Sequence, residues 1–307
     1  MKILVTGGAG FIGSHIVEYF HNKAEVCVLD NLYSGFESNL SVFHHKFFEA
    51  SILERQAVRR AMDGVDFVFH LAAIANVPES IQNPVECWDV NVCGTLIVLE
   101  EAARAKVKKV VLSSSAAIYG SESAAPKVET MLPQPKSPYA FTKLEGERYC
   151  QVFTREQQLA TVCLRYFNVF GPRQNANSPY AAAVAKFIDR ALENETIIIH
   201  GDGEQTRDFV FVRDIVSANV FFALQSGVEG VFNVASGRHI TINNLARTIC
   251  EITGSHSTIT HTGERPGDVK HSQACIDKLR AAGFVPTINL DDGLQATVNF
   301  FRQRKMC

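Results

Sequence analysis

Short unbroken apolar runs alternate with amphipathic stretches through the first half of this 307-residue chain. Ile3-Leu4-Val5-Thr6, Glu25-Val26-Cys27-Val28-Leu29-Asp30, Lys46-Phe47-Phe48, Asp66-Phe67-Val68-Phe69-His70, Lys109-Val110-Val111-Leu112 and Thr161-Val162-Cys163-Leu164-Arg165-Tyr166 read as strands. Runs of this kind suit a parallel sheet covered by helices on both faces. Helical patterns extend to about Asn22, over Leu53 to Met62, over Pro84 to Ala105, and from Pro138 onward. Beyond Tyr166 the periodicity loosens into shorter pieces. These are a helix near Ala181 to Asn194, a strand at Ile197-Ile198-Ile199, a polar turn from Gly201 to Asp208, and Phe209 to Val212 with a helix to Leu224. Val231 to Val234 and a helix from Ile242 to Ile252 follow. The pattern predicts an α/β chain with a larger domain over residues 1–172 and a smaller C-terminal α/β domain over 173–307, with segments near 209–240 returning to the first.

Between the first strand and the first helix stands Gly7-Gly8-Ala9-Gly10-Phe11-Ile12-Gly13. Glycines at 7, 10 and 13 permit a tight turn, close backbone approach to a pyrophosphate and close helix packing, at a helix N-terminus whose free N–H groups favour an anion. The second strand ends in Asp30, 20 residues after Gly10, where an acid can accept hydrogen bonds from an adenosine ribose and repel a 2′-phosphate. The unit predicts a Rossmann-type doubly wound parallel sheet that binds NAD. Leu71-Ala72-Ala73, after the fourth strand, has small side chains that suit a backbone lying against a flat ligand and equally suit a packed turn. His70 reads as a hydrogen-bonded structural histidine.

Composition narrows the partners. With 46% hydrophobic and 20% charged residues the chain is an ordinary globular one. A net charge of -2 leaves no basic footprint, so neither nucleic acid nor an anionic membrane is an expected partner, and an anionic ligand must be held by local charges. Eight scattered cysteines with no C-x-x-C pair read as reduced thiols in a cytoplasmic protein, and no metal is expected. The apolar run after Lys2 is cut short by glycines, unlike a signal peptide, and no run approaches the ~18 residues of a membrane span.

Ser137-Pro138-Tyr139-Ala140-Phe141-Thr142-Lys143 opens a helix, so Tyr139 and Lys143 share a face. A tyrosine of pKa ~10 is a poor base at neutral pH, and a fixed cation beside it lowers that value. Such a pair alone recurs by chance on exposed helices. Here the fifth strand delivers Ser113-Ser114-Ser115 to its C-terminal end, the end at which ligands bind in open parallel sheets. Three serines there could merely cap a turn; beside Tyr139, Ser115 becomes a candidate hydrogen-bond partner for a reacting hydroxyl.

Leu112-Ser-Ser-Ser-Ala-Ala-Ile-Tyr-Gly120, Ser137-Pro-Tyr-x-x-x-Lys143 and Leu164-Arg-Tyr-Phe-Asn-Val-Phe-Gly-Pro172 resemble the nucleotide-sugar 4-epimerases of the extended short-chain dehydrogenase/reductase superfamily, a resemblance that runs nearly the whole chain. It implies a tightly held NAD and a UDP-sugar substrate. Ser115 and Tyr139 would face the sugar 4-hydroxyl, and Lys143 would bind the nicotinamide ribose and depress the Tyr139 pKa. By the same resemblance NAD would contact Gly7, Gly10, Phe11, Ile12, Gly13, Asp30, Asn31, Ser34, Gly35, Ser51, Ile52, Leu71, Ala72, Ala73, Asn91, Ser113, Tyr139, Lys143 and Phe167. The UDP-sugar would contact Ser115, Tyr139, Asn168, Ala183, His200, Arg207, Arg265, Asp268 and Ser272.

Departures from relatives carry information. Dehydratases and decarboxylases of the superfamily place an acid where this chain has Ala116-Ala117. Ser51 replaces the usual adenine-binding aspartate, which implies altered affinity. At the Ser272 position a bulky residue restricts the pocket to glucose and galactose, so serine implies room for an N-acetyl group. Turnover of UDP-GlcNAc/UDP-GalNAc, alongside UDP-Glc/UDP-Gal, is the expectation. A keto-sugar reductase that releases its cofactor, or a non-catalytic dinucleotide-binding protein, would be the other readings. The family implies a homodimer through the helices at Pro84 to Ala105 and Pro138 to Thr154.

Overall fold

The computed structural model describes residues 1–120, 126–176, 182–264 and 270–306. In chain order the first elements are β1 (Lys2–Thr6), α1 (Phe11–Phe20), β2 (Glu25–Asp30), β3 (Lys46–Glu49), α2 (Arg55–Ala61), β4 (Phe67–His70), α3 (Val77–Gln82), α4 (Pro84–Trp88), a π-helical turn (Asp89–Cys93) and α5 (Gly94–Arg104). β5 (Lys109–Ser115), α6 (Pro138–Gln157), β6 (Thr161–Tyr166), β7 (Asn168–Phe170), α7 (Ala183–Leu192), β8 (Ile197–His200), β9 (Thr206–Arg207), β10 (Phe209–Phe211) and α8 (Val212–Leu224) follow. The chain continues with β11 (Gly230–Val234), β12 (Ile240–Thr241), α9 (Ile242–Thr253), β13 (Ile259–Thr262), β14 (His271–Ser272), α10 (Asp277–Ala281) and α11 (Leu290–Met306).

The six apolar runs of the first half are all strands of one seven-stranded sheet, ordered β11-β6-β5-β4-β1-β2-β3. β1 to β6 pair in parallel throughout. The chain leaves β1 toward β2 and β3, then returns to β4 on its other side, so the switch point of the doubly wound sheet lies between β1 and β4. Register brings Thr6 beside His70, and His70 beside Leu112, so the loops at Gly7 and Leu71 leave the sheet level with Ser113, from which β5 runs on to Ser115. Under the sheet Leu4, Leu29, Val58, Val98, Leu99 and Val110 are fully buried in one apolar cluster. Each contributes roughly 1.5–3 kcal/mol relative to exposure.

Two compact units divide the chain. The first comprises Met1–Gly120, Leu132–Tyr166 and Val216–Phe232, and the second Ser121–Met131, Phe167–Ile215 and Asn233–Cys307. The first unit is thus built from three segments, of which the last, Val216–Phe232, returns from the C-terminal half of the chain. Within the first unit the buried Lys109 ammonium donates to the carbonyls of Phe222, Gln225 and Val228 at 3.1, 2.5 and 3.0 Å. A cation there caps the C-terminal end of α8 and tethers the returning segment to β5. Within the second unit β10 pairs with β7, β9 lies between β12 and β14, and β13 pairs with β8.

The helix read over Pro84 to Ala105 is interrupted. Its middle widens into the π-helical turn that carries Asn91. The reason is tertiary: the buried Asn91 amide accepts from Ile74 N (2.8 Å) and donates to Ile74 O (3.0 Å) and Thr142 Oγ1 (3.0 Å). A widened turn is a frequent mark of a functional region. It fixes the backbone just after Leu71-Ala72-Ala73.

His70 is structural, as its place at a strand end implies. Thr95 Oγ1 donates to Asn91 O (2.6 Å) and so accepts from His70 Nε2 (2.9 Å), which leaves His70 Nδ1 to accept from Thr6 Oγ1 (2.7 Å). Three elements are pinned by one neutral imidazole. Burial, with the Lys143 cation adding to it, pulls His70 down to about 3. Because the folded value lies below the unfolded one, this contribution to stability is complete above pH ~6.5 and is lost as pH falls toward 3, by at most ~1.4 kcal/mol per pH unit. Urea midpoints of the wild type are expected to fall more steeply between about pH 6.5 and 4.5 than those of His70→Gln, which starts lower at neutral pH. Equal slopes would contradict the neutral assignment.

Candidate active site

The glycine turn is built by contacts that no side chain could share. Gly7 has φ +70°, and a Cβ on it would stand 2.6 Å from Ala72 N; one on Gly13 would stand 2.2 Å from Gly7 O. These two glycines seat β1 and α1 against the β4 loop. Gly10 is different: its nearest obstacle would be Gly7 O at 3.2 Å. Gly10 begins α1 without a side-chain cap, so the first-turn N–H groups of Phe11, Ile12 and Gly13 point outward with the helix dipole. Uncapped by any side chain, this helix start suits a pyrophosphate.

Asp30, at the end of β2, accepts from Ala9 N (2.9 Å) and Leu32 N (2.8 Å). Burial raises its pKa, opposed by those two N–H groups. The carboxylate therefore holds the glycine turn and can still accept from a ribose. Gly35 is buried beside Ala9, while Asn31 and Ser34 are exposed on the same loop. Ser51 Oγ accepts from Leu53 N (3.2 Å), and Ile52 is buried where Gly94 lets α5 come close. Leu71 N donates to Thr6 O (3.0 Å), which keeps Leu71-Ala72-Ala73 against β1.

Ser137 caps α6, its Oγ accepting from Ala140 N (3.2 Å), and Pro138 occupies the first helical position. That start fixes the azimuth of Tyr139 and Lys143. Lys143 Nζ donates to Ser113 O (2.8 Å) and lies 5.8 Å from the centre of the Tyr139 ring. Ser115 hydrogen-bonds the Tyr139 phenol, and its Oγ also accepts from Ala117 N (3.1 Å). Ser113, Ser115, Tyr139 and Lys143 are thus brought together in the first unit.

The electrostatics differ from the sequence expectation that Lys143 lowers the Tyr139 pKa. Enclosure by protein pushes the phenol up, with the Ser115 bond opposing, and burial pushes the ammonium down to about 8. Desolvation outweighs attraction here because the ammonium is bonded to a strand carbonyl instead of the phenol. The Tyr139 phenol is therefore a proton donor at neutral pH that needs further positive charge nearby to become a base.

In the second unit Asn168 Nδ2 donates to Asp208 O (3.0 Å), and Ala183 is the first residue of α7. His200 ends β8 and shares a hydrogen bond with Thr262 Oγ1 (3.0 Å). Arg207 on β9 lies in register with Ser272 on β14, and both are half-buried. Arg207 also lines a pocket of about 400 Å³ with Arg238 and Arg280 over an apolar floor of Phe209 and Ile240. Phe167 is buried in this unit. Arg265 and Asp268 lie outside the described residues.

Asp208 escaped the sequence reading. Fully buried, it accepts from Ser236 N (2.9 Å), Ser236 Oγ (2.7 Å) and Gly237 N (3.1 Å), and burial lifts it to about 6 against those bonds. It locks the backbone beside Arg207. Also unread were Glu147 and Arg165; the signal was an arginine inside the otherwise apolar run of β6.

A family model described as the NAD dependent epimerase/dehydratase family matches residues 3–235. A UDP-glucose 4-epimerase of Mycolicibacterium smegmatis is 35% identical over 314 residues, 99% of each chain. Two solved structures are similar throughout. A UDP-N-acetylglucosamine 4-epimerase from Methanobrevibacter ruminantium, in complex with UDP-N-acetylmuramic acid, has TM-score 0.95 and 39% identity over 99% of this chain and 98% of that one. A UDP-glucose 4-epimerase of Thermotoga maritima with UDP-glucose has TM-score 0.94 and 41% identity over 99% and 100%. Decarboxylases of nucleotide-linked uronic acids match at 30% and 31%.

The glycines separate folding from binding. Gly13→Ala should destabilise the fold by more than ~2 kcal/mol through overpacking, whereas Gly10→Ala, with its one close contact at 3.2 Å, should cost about 1 kcal/mol or less and bind NAD at least tenfold more weakly. Calorimetric unfolding and NAD titration check both. Unchanged affinity in Gly10→Ala would exclude a pyrophosphate at that turn.

Proposed function

The chain belongs to the NAD-dependent epimerase/dehydratase family, and on that footing we propose that it inverts the C4 configuration of a UDP-hexose through a transient 4-keto sugar. The observation that carries the reading is the grouping of Ser115, Tyr139 and Lys143, with Ala116 and Ala117 in place of an acid. Elimination of water needs a proton donor beside the sugar that these two methyl groups cannot supply, and the decarboxylating relatives place a glutamate there.

NAD would be held by the Gly7 to Gly13 turn, Asp30, Leu71 to Ala73, Ser113, Tyr139 and Lys143, and when bound it supplies reversible oxidation at C4. The chain's own residues handle the proton. Tyr139 takes the 4-hydroxyl proton on leaving the ground state and returns it to the epimeric alkoxide. Ser115 orients that hydroxyl. Lys143, bonded to Ser113 O, keeps a positive charge by the phenol while it is ionised. Arg207, joined by Arg265 and Asp268, anchors the nucleotide while the sugar turns to present its other face.

Ser272, small and in register with Arg207, leaves room for an N-acetyl group, so UDP-GlcNAc/UDP-GalNAc are the preferred pair with UDP-Glc/UDP-Gal also turned over. The protein works in the cytoplasm as a homodimer. Free thiols support a reducing compartment, and no described helix is long and apolar enough to cross a membrane. Exposed apolar side chains support self-association: Val85 (73%), Trp88 (45%), Phe141 (50%) and Val152 (42%) on α4 and α6.

Incubated without added cofactor, the purified protein should form UDP-GalNAc from UDP-GlcNAc and UDP-Gal from UDP-Glc, and Tyr139→Phe should lower kcat by ~10²–10⁴-fold. UDP-Gal alone would refute the substrate assignment. No product from either sugar, even with NAD supplied, would refute the epimerase. Ser272→Tyr should remove the N-acetyl activity and spare the other; equal loss refutes the gate. Sedimentation at micromolar concentration should give a dimer's mass, and a monomer's contradicts the assembly.

A further inference from the structure

Glu147 stands one helical turn beyond Lys143 on the same face of α6. Only 2% exposed, it accepts through Oε1 from Ser114 Oγ (2.6 Å) and Arg165 Nε (2.9 Å), and through Oε2 from Arg165 Nη2 (2.8 Å). Arg165, 4% exposed on β6, is the register neighbour of Ser114, and its guanidinium carbon lies 4.8 Å from the centre of the Tyr119 ring. Three elements therefore meet in one buried charged network. Ser114 sits between Ser113, whose carbonyl takes the Lys143 ammonium, and Ser115, whose hydroxyl meets Tyr139.

A buried ion pair is a poor source of net stability, because desolvation cancels most of the attraction and well-packed apolar side chains serve as well. What it supplies is direction. A bidentate arginine–carboxylate pair fixes two planes against each other, and a third bond from Ser114 fixes the strand against the helix. Sliding α6 along β5 would stretch and misalign all three bonds together, and would move Tyr139 and Lys143 off Ser115 and Ser113 by the same amount.

We propose that Ser114, Glu147 and Arg165 are positioning residues, a clamp that sets Tyr139 and Lys143 against β5 for catalysis while adding little net stability. The proposal rests on the reading of Ser115, Tyr139 and Lys143 as the catalytic group. None of the three clamp residues touches the reacting atoms.

The test replaces the clamp by apolar side chains of similar volume, Ser114→Ala with Glu147→Leu and Arg165→Met, in the NAD-bound protein. The expected variant melts within about 5 °C of the wild type, has kcat lowered on the order of 10²-fold, and keeps KM. Tyr139 ionisation, read as the phenolate difference spectrum of each protein against its own Tyr139→Phe counterpart, should move up by about one pH unit as the Ser115 bond weakens. A stable variant with wild-type kcat and an unmoved tyrosine overturns the proposal. Arg165→Lys, which keeps the charge and loses the bidentate geometry, covers failure of the triple variant to fold: about tenfold lower kcat with a shifted tyrosine supports the clamp, and a wild-type profile overturns it. Should the wild type epimerise nothing, the epimerase reading fails, while the tyrosine titration still decides the clamp.

Discussion

The site depends on an approach of backbones closer than any side chain allows. Where the sheet switches direction, β1 and β4 send their chains outward side by side, and Gly7 lies on Ala72 with no room for a Cβ between them. That contact puts the glycine turn and the Leu71 to Ala73 segment at one level. His70, fixed between Thr6 and Thr95 hydroxyls, holds the level from beneath, and Asn91 holds it from the side by taking both polar groups of Ile74. A cradle held by this many internal contacts leaves less ordering for binding to supply.

Charge in this unit is managed by enclosure. Lys109, Glu147 and Arg165 are buried, and each is answered by several hydrogen bonds, as a buried charge must be. Tyr139 and Lys143 are the pair left with unequal terms. Burial raises one and lowers the other to about 8, so as pH rises the ammonium releases its proton before the phenol. Such a pair stays inert as a base until more positive charge is set beside it. An oxidised nicotinamide ring bound beside the pair would carry that charge.

Much of this was legible in the sequence, and the remainder was hidden for identifiable reasons. Strands inside a covered sheet print as short apolar runs, so β1 to β6 were readable, as were Gly7 to Gly13, Asp30 and the spacing of Tyr139 and Lys143. The break in the helix at Asp89–Cys93 was not, because its cause is what Asn91 meets in other elements, and no local periodicity records that. β9, β12 and β14 are two residues long, too short for any alternation to show. Asp208 and Glu147 looked like ordinary charges in turn and helix; their partners are distant in sequence. The expected direction of the Tyr139 shift failed for the same reason: proximity on a helix says nothing about which acceptor the lysine takes or how deeply both groups are enclosed.

The choice of reaction within the family comes down to what stands one and two residues beyond Ser115. Ser115 Oγ accepts from Ala117 N, so the Ala116–Tyr119 turn is wound directly on the hydroxyl that would meet the sugar, and its side chains are held beside it. An acid in that turn would be placed by the same bond, and could push a proton onto a leaving hydroxyl or steer a carboxylate. Alanine at both positions presents only methyl groups. A keto sugar formed next to them has no route forward through elimination, and it persists until the hydrogen is returned. If the sugar has turned in the meantime, return gives the epimer; if it has not, return gives back the starting material. Were the ligand anchored chiefly through its nucleotide, beside a residue as small as Ser272, turning would be permitted, and epimerisation is what the remaining chemistry can do.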